Sequence, residues 1–421
     1  MAVTLWGRVY FDNRYAGLLQ QEPGERYAFT YDSSYIEAGG PALSLTLPLR
    51  AGPCWSEGGL HPFFDNLVAE GWLRSAQARA LGVRPDERFA LLLAFGQDCA
   101  GAVSVIDPAP THELAFGSED AHSLAALSAR ASLSGMQPKL TVVKGPRGYR
   151  PSRANELSTH IAKLPSGPLP DIIALEWLTT EATRRLLPDD AVATMEIAEI
   201  ENLTGEALLI HRFDRTPEGG RLHFEEFNQL LGKRSEDKYE GHYEDMARLI
   251  RATPGCIPAE VDRLYRRVLA CLLVGNTDAH LKNFAMLHTN AGLRLAPCYD
   301  LVASAFYPQF NTIALGLAKG RNMRLGALQA RHIVSLGEGF GLPHGAIGLA
   351  VEDLGRRLGA AITVINEAHI GSVALRDRLI DLMEKRWNGT FASTGPLLSK
   401  RRTGGGRRKS SPSDGSPPSP T

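Results

Sequence analysis

The order of apolar and polar residues changes along the chain from short alternating segments to longer helical repeats. Alternation between Gly, Pro and Asn turns in the first quarter predicts strands rather than helices. The predicted strands are Val3–Phe11, Tyr15–Leu19, Tyr27–Thr30 and Leu43–Leu49, and the predicted helices after them are Phe63–Leu81 and Pro85–Ala94. The segment Asp107-Pro108-Ala109-Pro110 has the composition of a linker. Residues 1–108 are therefore predicted to form a mainly-β subdomain of their own.

The next hundred residues, 109–210, combine strands with one amphipathic helix. Strands are predicted at Leu140–Val143 and over residues 159–164, where Pro165 ends the second one. Residues 171–187 carry apolar side chains at helical spacing before Pro188, which predicts a helix. A further strand is predicted over Ala207–Phe213, which is apolar and then polar.

The rest of the chain is predicted to be mostly helical over residues 211–398. Its helices are predicted at Glu244–Arg251, Glu260–Gly275, Ala327–Leu336, Ala346–Leu358 and Ala374–Trp387. The fold class predicted for the whole chain is therefore α+β. Residues 399–421 are rich in Lys, Arg, Gly, Ser and Pro, so we expect a disordered tail that either contacts nucleic acid or is a solubilising extension.

Composition favours a cytoplasmic enzyme. Basic and acidic residues balance at 46 each, so no overall charge attracts nucleic acid or anionic membrane. The five cysteines are widely spaced, which argues against a disulfide framework and a CxxC zinc site. No signal peptide opens the chain, and no apolar run approaches the roughly 18 residues that span a bilayer. We therefore expect cytoplasmic localisation without a membrane partner.

The most informative stretch is Gly275-Asn276-Thr277-Asp278-Ala279-His280-Leu281-Lys282-Asn283-Phe284. Asp278 precedes Asn283 by five positions and Asp300 lies downstream, which is the order found in the catalytic loop and metal site of kinases. Transfer of the ATP γ-phosphoryl group needs a carboxylate that orients the attacking hydroxyl and oxygen ligands for Mg²⁺. We predict Asp278 for the first task, and Asn283 and Asp300 for the second. Either Asp taken singly is also compatible with a turn or a helix cap.

An upstream lysine and a helix glutamate complete the pattern. Lys163 lies on the strand that Pro165 ends, as does the kinase lysine that contacts the α- and β-phosphates. Glu176 lies on the helix that follows and is placed to pair with Lys163. The alternatives are an ordinary strand lysine and a solvated helix charge. The small-residue loop Ser132-Leu133-Ser134-Gly135-Met136-Gln137-Pro138-Lys139 precedes both and is a weak phosphate-binding signal by itself.

Taken together, these motifs resemble the HipA family of bacterial toxin kinases. The resemblance rests on the segments at 132–139, His-Ile-Ala-Lys-Leu-Pro at 160–165, Arg-Phe-Asp-Arg at 212–215, the loop at 277–284, and Tyr-Asp at 299–300. Gly-Arg-Val-Tyr at 7–10 and Pro-Phe-Phe-Asp-Asn-Leu at 62–67 extend it to the amino-terminal part. The fold that this implies is a protein-kinase-like bilobal fold with an extra amino-terminal mainly-β subdomain and a mostly helical carboxy-terminal lobe.

The resemblance also implies residue roles. Asp278 corresponds to the catalytic base, Lys163 to the nucleotide-binding lysine, and Asn283 and Asp300 to the Mg²⁺ ligands. The remaining residues expected to contact ATP are Ser134, Gly135, Gln137, Lys139, His211, Phe213, His280, Lys282 and Tyr299. Ser132 and Ser134 are the expected autophosphorylation sites, where added phosphate ejects the loop by charge repulsion. Two departures from the family are Pro138 within the loop and His211 where a Glu is frequent.

The activity implied by the resemblance is that of an ATP-dependent Ser/Thr protein kinase acting as the toxin of a type II toxin–antitoxin module. The expected partners are a HipB-type helix-turn-helix antitoxin, operator DNA reached through that antitoxin, and a protein substrate, expected to be an aminoacyl-tRNA synthetase. Alternatives that stay open are a small-molecule kinase and a kinase-like co-repressor that bridges an antitoxin to DNA. A metal-dependent phosphohydrolase built on Asp278, His280 and His288 lacks further ligands at useful spacing.

Overall fold

An antiparallel five-stranded sheet with helices at its side forms the amino-terminal region. The structure is a computed structural model that describes residues 5–110, 120–133 and 137–404. The elements of this region are β1 (Trp6–Phe11), β2 (Arg14–Glu22), β3 (Arg26–Tyr31), α1 (Ser33–Glu37), β4 (Pro53–Glu57), α2 (Pro62–Asp65), α3 (Gly71–Leu81), α4 (Arg88–Phe95) and β5 (Val103–Ile106). The strand order is β4-β3-β2-β1-β5, so the last strand returns to pair with the first.

Two sequence predictions in this region are wrong, and both errors have local causes. Residues 43–49 form a turn instead of a strand, because the Tyr31 hydroxyl accepts from Leu43 N at 2.8 Å and donates to Leu47 O at 2.6 Å. The single helix predicted at 63–81 is two helices, α2 and α3. Gly71 at the start of α3 has φ +54, a left-handed conformation through which a helix cannot continue.

A second antiparallel sheet carries the predicted strand lysine. Its elements and the helices beside it are α5 (Ala121–Ser128), β6 (Lys139–Gly145), β7 (Gly148–Pro151), β8 (His160–Lys163), α6 (Ile172–Leu186), β9 (Met195–Glu199) and β10 (Glu206–His211). The strand order is β7-β6-β8-β10-β9, which puts β8 in the centre. Ala69 and Leu73, at the start of α3, pack with Leu140 and Val142 of β6, so the amino-terminal region shares a hydrophobic core with this sheet.

The remaining described residues are mostly helical, as predicted. They form β11 (Phe224–Glu226), α7 (Phe227–Leu230), α8 (Tyr243–Ala252), α9 (Ala259–Val274), β12 (Ala285–Thr289), β13 (Gly292–Leu295), α10 (Ala330–Gly339), α11 (His344–Asn366), α12 (Val373–Arg386), a π-helical turn (Trp387–Phe391) and α13 (Thr394–Gly404). The small sheet β11-β12-β13 flanks the predicted catalytic loop. The tail predicted to be disordered from residue 399 is helical to Gly404, and the rest of it lies outside the described residues.

The α+β fold is confirmed, with its largest hydrophobic core in the helical part. Buried α9 is the central element there, since Leu264, Val268 and Leu272 are all almost fully enclosed. Helix α6 packs along the long helix α11, which joins the sheet that carries the lysine to the helical part. A search of the described residues for a helix long and apolar enough to cross a bilayer found none.

Candidate active site

Two lysines lie side by side in the cleft between the second sheet and the helical part. Lys139 begins β6 and pairs in register with Lys163, the last residue of β8. Lys163 Nζ lies 2.6 Å from Glu176 Oε1 and also contacts Asp300 Oδ1. Burial and the charge of Lys163 lower the pKa of Lys139 to about 8. The paired lysines make this end of the sheet suitable for an anionic ligand.

Helix α6 places Glu176 opposite Lys163. The apolar residues of α6 face the core, and Glu176 lies on that inward face with no exposed surface. Its Oε1 accepts from Lys163, while Oε2 has no hydrogen-bond partner among the described residues. A buried carboxylate facing a buried ammonium fixes the geometry, because removal of either partner leaves an uncompensated charge. The solvated-charge alternative for Glu176 does not describe this environment.

A sharp turn and three hydrogen bonds shape the loop that contains Asp278. Helix α9 ends at Val274 because Gly275 adopts φ +82, where a Cβ would also approach Leu382 Cδ2 at 2.5 Å. The Ser304 hydroxyl then accepts from the Thr277 and Asp278 amides at 2.8 and 3.1 Å. Asn276 Oδ1 accepts from the same Asp278 amide. The backbone of Asp278 is thereby fixed while its carboxylate faces the open cleft.

The Asp278 carboxylate accepts a hydrogen bond from a tyrosine. Tyr239 Oη donates to Asp278 Oδ1 at 2.9 Å, and its ring packs edge-on against His280 at 5.0 Å between centroids. Surrounding protein atoms raise the pKa of Asp278 to about 6, and the charge of Asp300 acts in the same direction. The hydrogen bond from Tyr239 opposes that rise. Asp278 is therefore ionised at neutral pH. Its pKa also lies close enough to pH 7 for the carboxylate to accept and release a proton.

Asn283 and Asp300 meet at the back of the cleft. Asn283 Nδ2 donates to Asp300 Oδ2 at 3.0 Å, which directs Asn283 Oδ1 elsewhere, and this buried oxygen has no partner among the described residues. Asp300 has φ +55, a conformation that Asp tolerates and that turns its side chain into the cleft. Although burial acts in the opposite direction, Lys163 and Lys139 hold the pKa of Asp300 below its usual value. An ionised carboxylate beside an unpartnered amide oxygen fits a hard divalent cation such as Mg²⁺.

Lys282, one of the residues expected to contact ATP, has its ammonium beside two acidic side chains. Its Nζ is buried 3.0 Å from both Glu70 Oε1 and Glu226 Oε2, and it also donates to Asn66 Oδ1 at 2.9 Å. Lys282 therefore joins the catalytic loop to the amino-terminal region while it also lines the cleft with Lys163 and Asp300. A contact of Lys282 with ATP stays a prediction.

Three aromatic or imidazole side chains line the cleft near the loop. The Tyr299 hydroxyl donates to Lys282 O at 2.7 Å, and the Tyr299 ring contacts that of Phe213 at 5.6 Å between centroids. His280 Nδ1 accepts from the Lys282 amide, and burial lowers the pKa of His280 to about 3, so its ring is neutral. These side chains form an apolar wall beside the charged groups.

His211 and Phe213, both expected to contact ATP, line the cleft where β10 ends. His211 is exposed there, and its amide already donates to Thr194 O, while the Arg212 amide donates to Thr159 O. The Phe213 amide has no hydrogen-bond partner among the described residues. The His211 side chain packs edge-on against His160 at 5.1 Å between ring centroids.

The expected phosphate loop is only partly described. Ser134 and Gly135 lie outside the described residues. Ser132 is buried, lines the same cleft and donates its amide to Asp98 O at 3.4 Å. Gln137 Nε2 donates to Leu164 O at 2.9 Å, which ties the loop to the end of β8.

A second histidine cluster lies at the junction of the amino-terminal region and the small sheet. His288 Nε2 lies 2.9 Å from Glu225 Oε1, and His223 lies beside both. Both ring nitrogens of His223 already have partners, Leu43 O at 2.9 Å and the Ala102 amide at 3.4 Å. His288 thus contacts Glu225 rather than Asp278, and the described residues do not assemble the phosphohydrolase alternative.

The contacts of Glu70, Lys238 and Tyr239, and the buried charges around Arg212, are not predicted by any pattern in the sequence. Lys238 Nζ lies 2.7 Å from Glu70 Oε2, across 168 residues of chain. Arg212 and Arg215 are both bonded to Asp98 and Asp214. No spacing pattern predicts the pairs of Glu70 with Lys238 or of Asp98 with Arg212 and Arg215, because their partners are more than 100 residues apart in the chain.

Comparison with known proteins agrees with this arrangement. A model of the HipA-like C-terminal domain matches residues 131–362, and a model of the HipA N-terminal domain matches residues 7–106. In Sinorhizobium fredii, the protein named "Putative kinase Y4dM" is 31% identical over 325 residues, covering 71% of this chain and 77% of its own. The Shewanella oneidensis protein named "Serine/threonine-protein kinase toxin HipA" is 26% identical over 376 residues, covering 81% and 84%.

A solved structure shares the fold. The HipA chain in the complex of Shewanella oneidensis HipA, HipB and operator DNA superposes with a TM-score of 0.74 and 21% identity, covering 93% of this chain and 99% of that one. The match includes the kinase-like fold with its amino-terminal β region and its carboxy-terminal helices. On the evidence of the two domain models and the 31% identical relative, the chain belongs to the HipA family.

Proposed function

We propose that this protein is an ATP-dependent Ser/Thr protein kinase that acts as the toxin of a type II toxin–antitoxin module. The observation that carries the proposal is the convergence of Lys163, Glu176, Asp300 and Asn283 through direct contacts in a cleft that Asp278 also lines. These five residues come from a strand, a helix and two loops in the order that kinases use.

Each residue has a task in the transfer. Lys163, held by Glu176, neutralises charge on the α- and β-phosphates of ATP, and Lys139 adds positive charge beside it. Asp278 accepts the proton of the acceptor hydroxyl as that oxygen attacks the γ-phosphorus. The new bond joins the acceptor oxygen to phosphorus, the bond from phosphorus to the bridging oxygen breaks, and ADP leaves. The acceptor is a serine or threonine side chain.

Mg²⁺ is the cation that suits the acidic side of this cleft. Asp300 Oδ and the unpartnered Asn283 Oδ1 would hold it, since hard cations take oxygen ligands. When bound, Mg²⁺ neutralises charge on the phosphates and orients them. Asn283 Nδ2 keeps the Asp300 carboxylate aligned for that purpose.

The proposed partners follow from relatives and from the family. The HipA of Shewanella oneidensis was solved with HipB and operator DNA, so a HipB-type helix-turn-helix antitoxin, and operator DNA through it, are proposed here. The proposed substrate is an aminoacyl-tRNA synthetase in the cytoplasm. Autophosphorylation at Ser132 or Ser134 is proposed to silence the kinase. Because Ser132 is buried, the loop must move outward before the Ser132 hydroxyl can be modified.

The test compares wild type with Asp278→Asn, which keeps the size of the side chain and removes its charge. Both are induced in the same bacterial host, growth is followed, and phosphopeptides are quantified in both cultures. We expect growth arrest and a new phosphoserine or phosphothreonine on one host protein with wild type alone. A phosphorylated metabolite without any phosphoprotein would favour the small-molecule kinase, and no arrest and no phosphorylated product with either protein would favour the kinase-like co-repressor. Ser132 or Ser134 found phosphorylated in purified wild type, and absent in Asp278→Asn, supports self-inactivation.

The pH dependence of kcat/KM gives a second prediction, because this ratio reports groups of the free enzyme. The pKa of Asp278 is raised to about 6, so the carboxylate becomes protonated as the pH falls through that value. We expect kcat/KM to be constant near pH 7.5 and to fall on the acid side with a midpoint near pH 6. The measurement is a series of initial rates from pH 5 to 8 at constant ionic strength. A profile that stays flat down to pH 5 would argue against Asp278 as the base.

A further inference from the structure

Tyr239 forms a hydrogen bond with one carboxylate oxygen of Asp278, the proposed catalytic base. Its hydroxyl donates to Asp278 Oδ1 at 2.9 Å, and no hydrogen bond to Asp278 Oδ2 is recorded among the described residues. Tyr239 is otherwise 47% exposed and lines the cleft together with Asp278 and Lys163. The hydroxyl therefore fixes the rotation of the carboxylate and leaves its other oxygen toward the cleft, where an acceptor hydroxyl has to bind.

Two carboxylates of the amino-terminal region, Glu70 and Asp65, position the turn that carries Tyr239. Tyr239 ends a 3₁₀ turn over Ser235–Tyr239. Within that turn, Ser235 Oγ donates to Glu70 Oε1 at 2.6 Å and Lys238 Nζ donates to Glu70 Oε2 at 2.7 Å. The Ser235 amide is bonded to Asp65 Oδ2 at 2.8 Å. Asp65 ends α2 and Glu70 directly precedes α3, so the amino-terminal region supplies both carboxylates that hold the turn.

Glu70 also holds the catalytic loop from its other side. Lys282, four residues after Asp278, places Nζ 3.0 Å from Glu70 Oε1. Glu70, Lys238 and Lys282 are all buried, so these contacts are only weakly screened by solvent. Although burial acts in the opposite direction, Lys282 and Lys238 hold the pKa of Glu70 far below its usual value. Glu70 is therefore ionised, and its carboxylate contacts Lys238 of the Tyr239 turn and Lys282 of the catalytic loop at the same time.

We propose that Tyr239 and Glu70 are positioning residues for phosphoryl transfer, through which the amino-terminal region completes the acceptor side of the active site. This inference rests on the proposed kinase function and deepens it. Tyr239 orients the Asp278 carboxylate toward the acceptor hydroxyl. Glu70 fixes the position of the turn that carries Tyr239 relative to the loop that carries Lys282. Neither residue is needed for nucleotide binding, because Lys163 and Asp300 are held by Glu176 and Asn283.

The experiment measures transfer of labelled phosphate from [γ-³²P]ATP to proteins of a host lysate, with the full-length chain. The variants are Tyr239→Phe, Glu70→Gln, Asp278→Asn and the control Tyr15→Phe, which removes a partly exposed tyrosine hydroxyl far from the cleft. Loss of one hydrogen bond to a charged group predicts a fall in kcat of about 10-fold for Tyr239→Phe. We expect an unchanged KM for ATP, and an acid limb moved to higher pH because the bond that lowers the Asp278 pKa is gone. Tyr15→Phe should match wild type.

The outcomes separate this inference from the proposed function. If Asp278→Asn is inactive while Tyr239→Phe keeps the kcat and pH profile of wild type, the function stands and the positioning role is wrong. A faster Tyr239→Phe would also overturn it, since the tyrosine would then obstruct the acceptor site. Equal transfer by wild type and Asp278→Asn would remove the function and the inference together. Glu70→Gln is expected to lose more turnover than Tyr239→Phe, and Tyr239→Phe decides the question if Glu70→Gln does not fold.

Discussion

Replacing Asp300 with Asn is expected to lower the rate of phosphoryl transfer by about 10³-fold or more while leaving the fold intact. The carboxylate supplies the only ionised side-chain oxygen proposed to hold Mg²⁺, and metal stabilisation of a transferring phosphoryl group contributes several kcal/mol, with each 1.36 kcal/mol equal to tenfold in rate. The fold should survive because Lys163 keeps its buried partner Glu176 at 2.6 Å. The activity loss therefore reports the site and not unfolding.

The measurement is the initial rate as a function of Mg²⁺ concentration for wild type, Asp300→Asn and Asp381→Asn. Asp381 is a matched control, because it forms an exposed pair with Lys385 on α12. Asp381→Asn should equal wild type, whereas Asp300→Asn should need more Mg²⁺ and reach a far lower maximum. An Asp300→Asn rate within tenfold of wild type at saturating Mg²⁺ would mean that Asp300 is not a metal ligand.

The parts of the site that sequence predicted are those encoded by local spacing. Asp278 and Asn283 lie on one short loop, so a separation of five positions is enough to bring both side chains to the same cleft. Lys163 and Glu176 lie thirteen residues apart on a strand and the helix that follows it, and they meet at 2.6 Å. Helical periodicity likewise predicted α9 over Glu260–Gly275, close to the observed Ala259–Val274. Local structure of this kind can be predicted from residue type and from the periodicity of apolar positions.

The parts that sequence missed depend on partners that are distant along the chain. Lys282 was expected beside the phosphates or the base because of its motif, and no spacing predicts that its ammonium also donates to Asn66, 216 residues away. Residues 43–49 alternate like a strand, but the hydroxyl of Tyr31 holds both ends of a turn. In each case a buried side chain from elsewhere decides the local structure. Propensity and spacing carry no information about that partner.

The second large effect is expected on stability. Asp98→Ala should lower the free energy of unfolding by about 3–5 kcal/mol, as removal of one member of a buried ion pair does. Asp98 accepts from Arg215 at 2.7 Å, Arg212 at 3.2 Å and Ser158 Oγ at 2.6 Å, and both charged pairs are less than 5% exposed. Without Asp98, Asp214 alone faces both guanidinium groups. The surplus positive charge would be buried where the amino-terminal region contacts the segment 212–215, which follows β10.

Chemical denaturation of wild type, Asp98→Ala and Glu57→Ala tests this expectation. Glu57 is the control because its ion pair with Arg26 is exposed and 3.7 Å long, so its loss should cost less than about 1 kcal/mol. Since Arg212 directly follows β10 and lies between His211 and Phe213, which are expected to contact ATP, Asp98→Ala should also weaken nucleotide binding, whereas Glu57→Ala should not. If Asp98→Ala is no less stable than Glu57→Ala, the buried charges do not hold the two regions together, and the core shared by Ala69 and Leu73 with β6 must do so instead.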